Sequence, residues 1–346
     1  MISVVRLAQS HRVLLALLAL GSLGACKAKE SLGVNCLTPR QACAGKSCGD
    51  ICSACSEGFL TTPDIAGACG ADGVCAVATP VCGQVDGSVS GGCGKAGAAT
   101  GQLTGQSITV AGQTRTYALS VSASYTGVTP LALVLVWHGA NIDGSLARTL
   151  FNLESKSNGA AIFVYPDGLA AGGWDVSSGS VDFQLFERLV SSISSNYCID
   201  SNRIFSTGHS TGAVMTNNLG CTYGDVLRAI APASGTPPGT GGRAACTGKV
   251  AALIAHGEND PMVPFSQGQA TRDFWIAQNG CTTQTSTWAP EPACVEYRGC
   301  QPDLSVVWCV HDGGHAWPSL NYGCALDAGT CIDGGAAIWS FFSSFH

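Results

Sequence analysis

Apolar residues fall along this chain in short unbroken runs, and the runs alternate with stretches whose apolar positions recur at helical spacing. Residues 131–137 and 161–165 read as strands covered on both faces, and further strands are expected at 227–231, 250–255 and 304–310. Between them, 181–197 places Phe186, Leu189, Val190 and Ile193 on one helical face, and helices are also expected at 265–278 and 335–345. Upstream, 108–110 and 116–121 alternate like an antiparallel hairpin around Gly112. Strands alternating with helices predict an α/β fold: a mostly parallel sheet with helices on both faces, its ligands at the carboxyl ends of the strands.

One junction in this pattern carries chemistry. Ile204 and Phe205 lead a strand into Gly208-His209-Ser210-Thr211-Gly212, and a helical stretch follows. A serine in a strand-to-helix turn, with glycines that let the two backbones approach, is the context of a nucleophile elbow. Gly45-Lys46-Ser47-Cys48-Gly49 fits the same pattern, but no apolar strand enters it and cysteines crowd it. Ser210 is therefore the candidate nucleophile.

A serine nucleophile needs an imidazole to take and return its proton. The chain has 7 histidines. His315, in a loop after Gly313-Gly314 and beyond the last strand, is favoured over His311, which sits at the strand end. The acid that orients the imidazole should lie in a loop after a strand, between serine and histidine in the chain. His256-Gly257-Glu258-Asn259-Asp260 nominates Asp260, with Glu258 next and Asp312 too near His315. Oxyanion donors, each worth about 2.7–4 kcal/mol, are expected from the N–H of Thr211 and from the loop after strand 131–137, at Ala140. His209, Trp174 and Trp317 are candidate substrate contacts, the two indoles offering flat faces to a phenolic acyl group or a sugar.

Composition bears on the setting. Charged residues are 12% of 346 and the net charge is −6, which leaves no basic patch for nucleic acid. Arg6 and Arg12, a short apolar run, and Leu23-Gly24-Ala25-Cys26 read as an export signal ending in a lipobox whose cysteine, Cys26, is lipidated and anchors the chain to a membrane. The 19 cysteines fit an oxidising compartment. Setting Cys26 aside, eight lie from Cys36 to Cys82 and ten from Cys93 to Cys331, so both sets are even only if Cys93 pairs within the second. The first set reads as loops between disulfides, and the Cys48, Cys52, Cys55 spacing lacks a histidine for zinc. The expected organisation is signal 1–26, cysteine-rich module 27–83, flexible linker 84–92 and catalytic domain 93–346.

From Gly92-Cys93-Gly94-Lys95 onward the chain resembles the carbohydrate-esterase group of type B feruloyl esterases, acetylxylan esterases and polyhydroxybutyrate depolymerase-like proteins. The pieces that carry the resemblance are His138-Gly139, Tyr165-Pro166-Asp167-Gly168, Gly173-Trp174, Gly208-His209-Ser210-Thr211-Gly212, Arg272-Asp273 through Asn279-Gly280-Cys281, and Trp308-Cys309 through His315-Ala316-Trp317-Pro318. The resemblance implies an α/β-hydrolase fold behind the cysteine-rich module. It also implies serine esterase activity on Ser210, Asp260 and His315, with Trp317 near the acyl pocket; metal chemistry and redox cofactors find no support in the sequence, and none is expected. Where many of that group carry two acidic residues at a helix start, this chain has Val181-Asp182-Phe183. The expected function is hydrolysis of feruloyl or acetyl esters of plant polysaccharide outside the cytosol, through an acyl-enzyme. A polyhydroxybutyrate or other polyester depolymerase is the alternative, and an inactive lipid-anchored binding protein would show a broken triad.

Overall fold

The computed structural model describes residues 89–169, 173–177, 179–239, 246–319 and 331–346, and the backbone of three strands nearer the N-terminus. The expected signal, Cys26 and most of the linker lie outside the described residues. Within the cysteine-rich stretch, β1 (Ile51–Ala54), β2 (Ile65–Cys69) and β3 (Cys75–Ala76) form a small antiparallel sheet. Loops alone were expected there. Strands this short carry too few positions for alternation to register, so the pattern hides them.

The remainder is built on a ten-stranded sheet. In chain order its elements begin with the hairpin β4 (Gly101–Val110) and β5 (Gln113–Val121), followed by β6 (Leu131–Trp137). Then come α1 (Gly144–Phe151), α2 (Leu153–Ser157), β7 (Ala161–Pro166), α3 (Val181–Asn196) and β8 (Ile199–His209). The second half contributes α4 (Thr211–Thr222), β9 (Ala229–Ala233), β10 (Ala251–Gly257) and α5 (Phe265–Asn279). The chain finishes with β11 (Thr285–Thr287), β12 (Cys294–Tyr297), β13 (Val306–His311) and α6 (Gly334–Ser343).

Across the sheet the order is β11-β12-β13-β10-β9-β8-β6-β7-β5-β4. The six strands from β13 to β7 run parallel, and antiparallel strands close both edges. This is the expected α/β-hydrolase arrangement. Strand periodicity divides the core: Leu133, Leu135 and Trp137 of β6 join the cluster under α3, α4 and α5, while Val134 and Val136 join the cluster under α1, α2 and α6.

Two helices escaped the sequence reading. Asp143 accepts a hydrogen bond from the Leu146 N–H and so starts α1, and Asn152, at φ 50°, ends it. The hairpin of β11 and β12 was also unforeseen. A disulfide between facing residues, Cys294 and Cys309, fastens β12 to β13. Cys93 pairs with Cys198, within the second set as parity requires, and Cys221–Cys246 and Cys281–Cys300 complete four bridges among the described residues. Cys331 is unpaired among the described residues, and Cys324 lies outside them.

The start of α3, where the chain departs from its resemblance, is held by one acid. Asp182 takes the guanidinium of Arg115 at 2.7 Å and accepts the Asp175 N–H at 2.7 Å, while Phe183 lies in the core. Arg115 is 1% exposed and also donates to the Asp167 carbonyl at 2.9 Å. Removing the acid would strand a buried guanidinium, which costs about 3–5 kcal/mol. Asp182→Ala should therefore lower the unfolding free energy by about that much in urea titration, and a loss under about 1 kcal/mol would refute this account.

Candidate active site

Strand β8 delivers its last residues to the centre of the sheet, and α4 starts immediately beyond them. A Cβ on Gly208 would collide with the Gly212 carbonyl, and one on Gly212 with the carbonyls of Trp137 and His138. The turn between these glycines therefore has no slack, and Ser210 takes up φ 57° and ψ −121°. Such a conformation costs a non-glycine residue of order 1–3 kcal/mol. The Ser210 N–H is tied to the Ala233 carbonyl at 3.0 Å, and its own carbonyl accepts the N–H groups of Ala213 and Val214.

Three side chains from three strand ends converge here. Ser210 Oγ lies 2.9 Å from His315 Nε2, and His315 Nδ1 lies 2.7 Å from Asp260 Oδ2. The other Asp260 oxygen accepts the N–H groups of Met262 and Val263, both at 2.9 Å. Burial alone would raise the Asp260 carboxyl, but the hydrogen bond to His315 and the two amides outweigh it and hold the pKa below its ordinary value. The carboxylate fixes the tautomer: His315 donates from Nδ1 and presents a bare Nε2 to the serine hydroxyl. Glu258, the second choice, is exposed, and Asp312 meets Asn259 through its backbone carbonyl. His311 is buried and accepts the Gly313 N–H.

The loops carrying Asp260 and His315 are joined by backbone. The Glu258 N–H donates to the His311 carbonyl at 2.8 Å, the Asn259 N–H to Gly313 at 3.2 Å, and the Asn259 side chain to Asp312 at 2.7 Å.

Beside Ser210 opens a cavity of about 380 Å³ whose lining includes Ala140, Ile142, Leu150, Phe151, His209 and Trp317. The rings of Phe151 and Trp317 stack at 3.8 Å, 8° from parallel. Met262, 73% exposed, stands at its rim. Thr211 is the first residue of α4, so its N–H has no partner four residues back, and it points with the positive end of that helix. Ala140 lines the cavity from the loop after β6, and a Cβ on Gly139 would sit 3.4 Å from Ser210 Cβ.

Of the three predicted substrate contacts, His209 and Trp317 line the cavity. Trp174 lies elsewhere: it packs against Trp137 and His138 and donates its indole N–H to the His138 carbonyl at 2.9 Å. Sequence reasoning passed over Phe151, although Leu146, Ala147, Leu150 and Phe151 have the spacing of a helix face.

Comparisons with known proteins place the chain among esterases of this fold. A family model described as Phospholipase/Carboxylesterase matches residues 180–292. The chain is similar to feruloyl esterase D of Neurospora crassa, 32% identical over 247 residues that span 65% of this chain and 82% of the relative. It is also similar to feruloyl esterase C of Emericella nidulans, 29% identical over 274 residues, or 75% of this chain and 92% of that one. Among solved structures, acetyl xylan esterase from Aspergillus awamori superposes with a TM-score of 0.52 at 19% identity, covering 62% of this chain and 95% of the other. At that identity the likeness concerns the fold.

Around the site three imidazoles are held neutral. Burial, reinforced by the neighbouring His315, pushes His209 from 6.5 down to about 3, and burial also lowers His256 and His311. Because the folded values lie below the unfolded ones, the stability these groups contribute is present above pH 6.5 and lost as pH falls. At pH 5 the His209 share of that loss is about 2 kcal/mol. Unfolding free energies at pH 7 and pH 5 should accordingly differ less in His209→Asn than in the unsubstituted protein, by about 1–2 kcal/mol, and an equal fall in both would count against it.

Proposed function

The chain belongs to the feruloyl esterase family of α/β-hydrolases, and from that premise we propose that it is an exported serine esterase acting on feruloyl or acetyl esters of plant polysaccharide. The observation that carries the reading is the continuous line from Ser210 Oγ through His315 to Asp260 at 2.9 and 2.7 Å, opening on the cavity. In this reading Ser210 attacks the ester carbonyl carbon while His315 Nε2 takes the hydroxyl proton. Asp260 stays ionised and stabilises the imidazolium. The carbonyl oxygen, now an anion, is received by the N–H groups of Thr211 and Ala140 at the positive end of α4.

Collapse expels the alcohol, which leaves with the proton from His315. Water then attacks the acyl-enzyme, gives its proton to His315, and releases the acid as Ser210 recovers the proton. An inactive binding protein would have no reason to keep the strained serine and its hydrogen-bonded base. The aromatic choice of acyl group is supported by the stacked Phe151 and Trp317 in the cavity wall and by the names of the relatives. The four disulfides among the described residues support export, in line with a signal ending at a lipidated Cys26 that would hold the enzyme on a membrane facing its polymer.

Ser210→Ala should leave the fold intact and lower kcat by several orders of magnitude, and retention of more than about a tenth of the rate would overturn the assignment. For substrate class, methyl ferulate and a hydroxybutyrate oligomer should be offered at equal concentration. We expect the higher kcat/KM on the ferulate, and a clear preference for the oligomer would transfer the assignment to polyester hydrolysis.

A further inference from the structure

His138 sits at the end of β6, 3% exposed, with both ring nitrogens engaged. Its Nε2 lies 2.9 Å from the Gly168 N–H, and its Nδ1 lies 2.7 Å from the carbonyl of Gly139. A backbone N–H can only donate and a carbonyl can only accept, so the two partners together define the tautomer. Nε2 is bare and Nδ1 carries the proton.

The Gly139 carbonyl belongs to the same peptide unit as the Ala140 N–H. In a trans peptide these two groups point in opposite directions, and none of the described peptide bonds is cis. Holding the carbonyl against His138 therefore turns the Ala140 N–H away from the ring, and Ala140 lines the same cavity as Ser210. We propose that His138 is a positioning residue that fixes the Gly139–Ala140 peptide so that the Ala140 N–H serves as an oxyanion donor. This rests on reading Ser210 as the nucleophile.

The histidine is anchored from behind. Asp167, next to Gly168, accepts the Gly144 N–H at 2.9 Å and the Thr116 hydroxyl at 2.7 Å, and its carbonyl takes the Arg115 guanidinium that Asp182 pairs. Trp174 bonds the His138 carbonyl and packs on its ring. A line of hydrogen bonds thus runs from the start of α3, through β5 and the loop after β7, to the peptide that faces the nucleophile. The orientation of the Ala140 N–H is set by buried groups that never touch substrate.

Three variants separate this from a packing role. His138→Phe keeps a ring against Trp174 but loses both nitrogens, His138→Ala loses ring and nitrogens, and His138→Asn can still donate an amide N–H to the Gly139 carbonyl. With a soluble ester as substrate, Phe and Ala should each lower kcat by about 100-fold or more while KM moves less than about threefold, the signature of losing one oxyanion donor. Asn should recover at least about tenfold over Ala. In the unsubstituted protein, nitrogen NMR of labelled histidine should find His138 protonated at Nδ1 and bare at Nε2.

A kcat for His138→Phe within about threefold of the unsubstituted enzyme would overturn the proposal, as would an Asn variant no better than Ala, or an Nε2–H tautomer. If the variants fail to fold, the tautomer decides. Should Ser210→Ala retain activity, the reading of the nucleophile falls by itself, and the tautomer still reports on the peptide.

Discussion

Helix α4 is pressed onto the ends of β6 and β8 so closely that residues 208 and 212 have no room for a Cβ, and this backbone-on-backbone contact governs the site. With both flanks immobilised, the chain must pass from strand to helix through a single residue, and Ser210 absorbs the reversal at φ 57°. The strain is sustained by hydrogen bonds on either side and by a helix that cannot retreat without opening the core. Its product is a hydroxyl raised clear of the sheet at the positive end of a helix. The same contact brings the β6 loop against the serine, because the carbonyls that exclude a side chain at Gly212 belong to Trp137 and His138.

How much of this was legible in the sequence follows from how far each signal reaches along the chain. The apolar runs of β6 and β7 are long and unbroken because helices cover both faces, so their limits were found to within a residue. Strand β9 lies two residues beyond its expected place, because the run at Leu227 begins in the loop that feeds it and the strand continues through Pro232. Ser210, Asp260 and His315 were legible because each occupies a loop after a strand in a fixed order. The support behind them was not. That Arg115 reaches Asp182 and Asp167 from a strand far away in the chain is a fact of sheet order, which no local pattern records.

Trp174 illustrates the same limit from the other side. Its residue type suits a ring platform, and its neighbours match the family, yet its indole N–H is bound behind His138 and its ring fills the gap beside Trp137. An aromatic residue near a site in sequence is one that the fold can use either to meet substrate or to brace the loop that does. Which one depends on the side of the backbone it occupies, and only the assembled sheet decides that. Phe151 is the converse case: an ordinary apolar helix position that becomes cavity wall because α1 lies over the strand ends and Trp317 stacks upon it.

The histidine of the site arrives by a longer route than the serine, on a loop with no regular structure, yet its position is no less determined. Strands β10 and β13 pair in parallel from Ala252 with Val306 to Gly257 with His311. The pairing continues beyond both strands, through Glu258 to His311 and Asn259 to Gly313, with the Asn259 side chain adding a further bond to Asp312. A Cβ at Gly257 would strike the carbonyls of Gly313 and Gly314, so the two loops run in backbone contact. The register that pairs Asp260 with His315 is therefore the register of two buried strands carried a few residues further. Burial lowers the pKa of the surrounding His209, His256 and His311, which disfavours a second positive charge beside the Asp260 carboxylate. Among the described residues the Cys294–Cys309 bridge fastens β12 to β13, and none of the four disulfides joins the loops of the site. The precision of the hydrogen-bonded line thus comes from the sheet, while that bridge holds the sheet's edge strands in place.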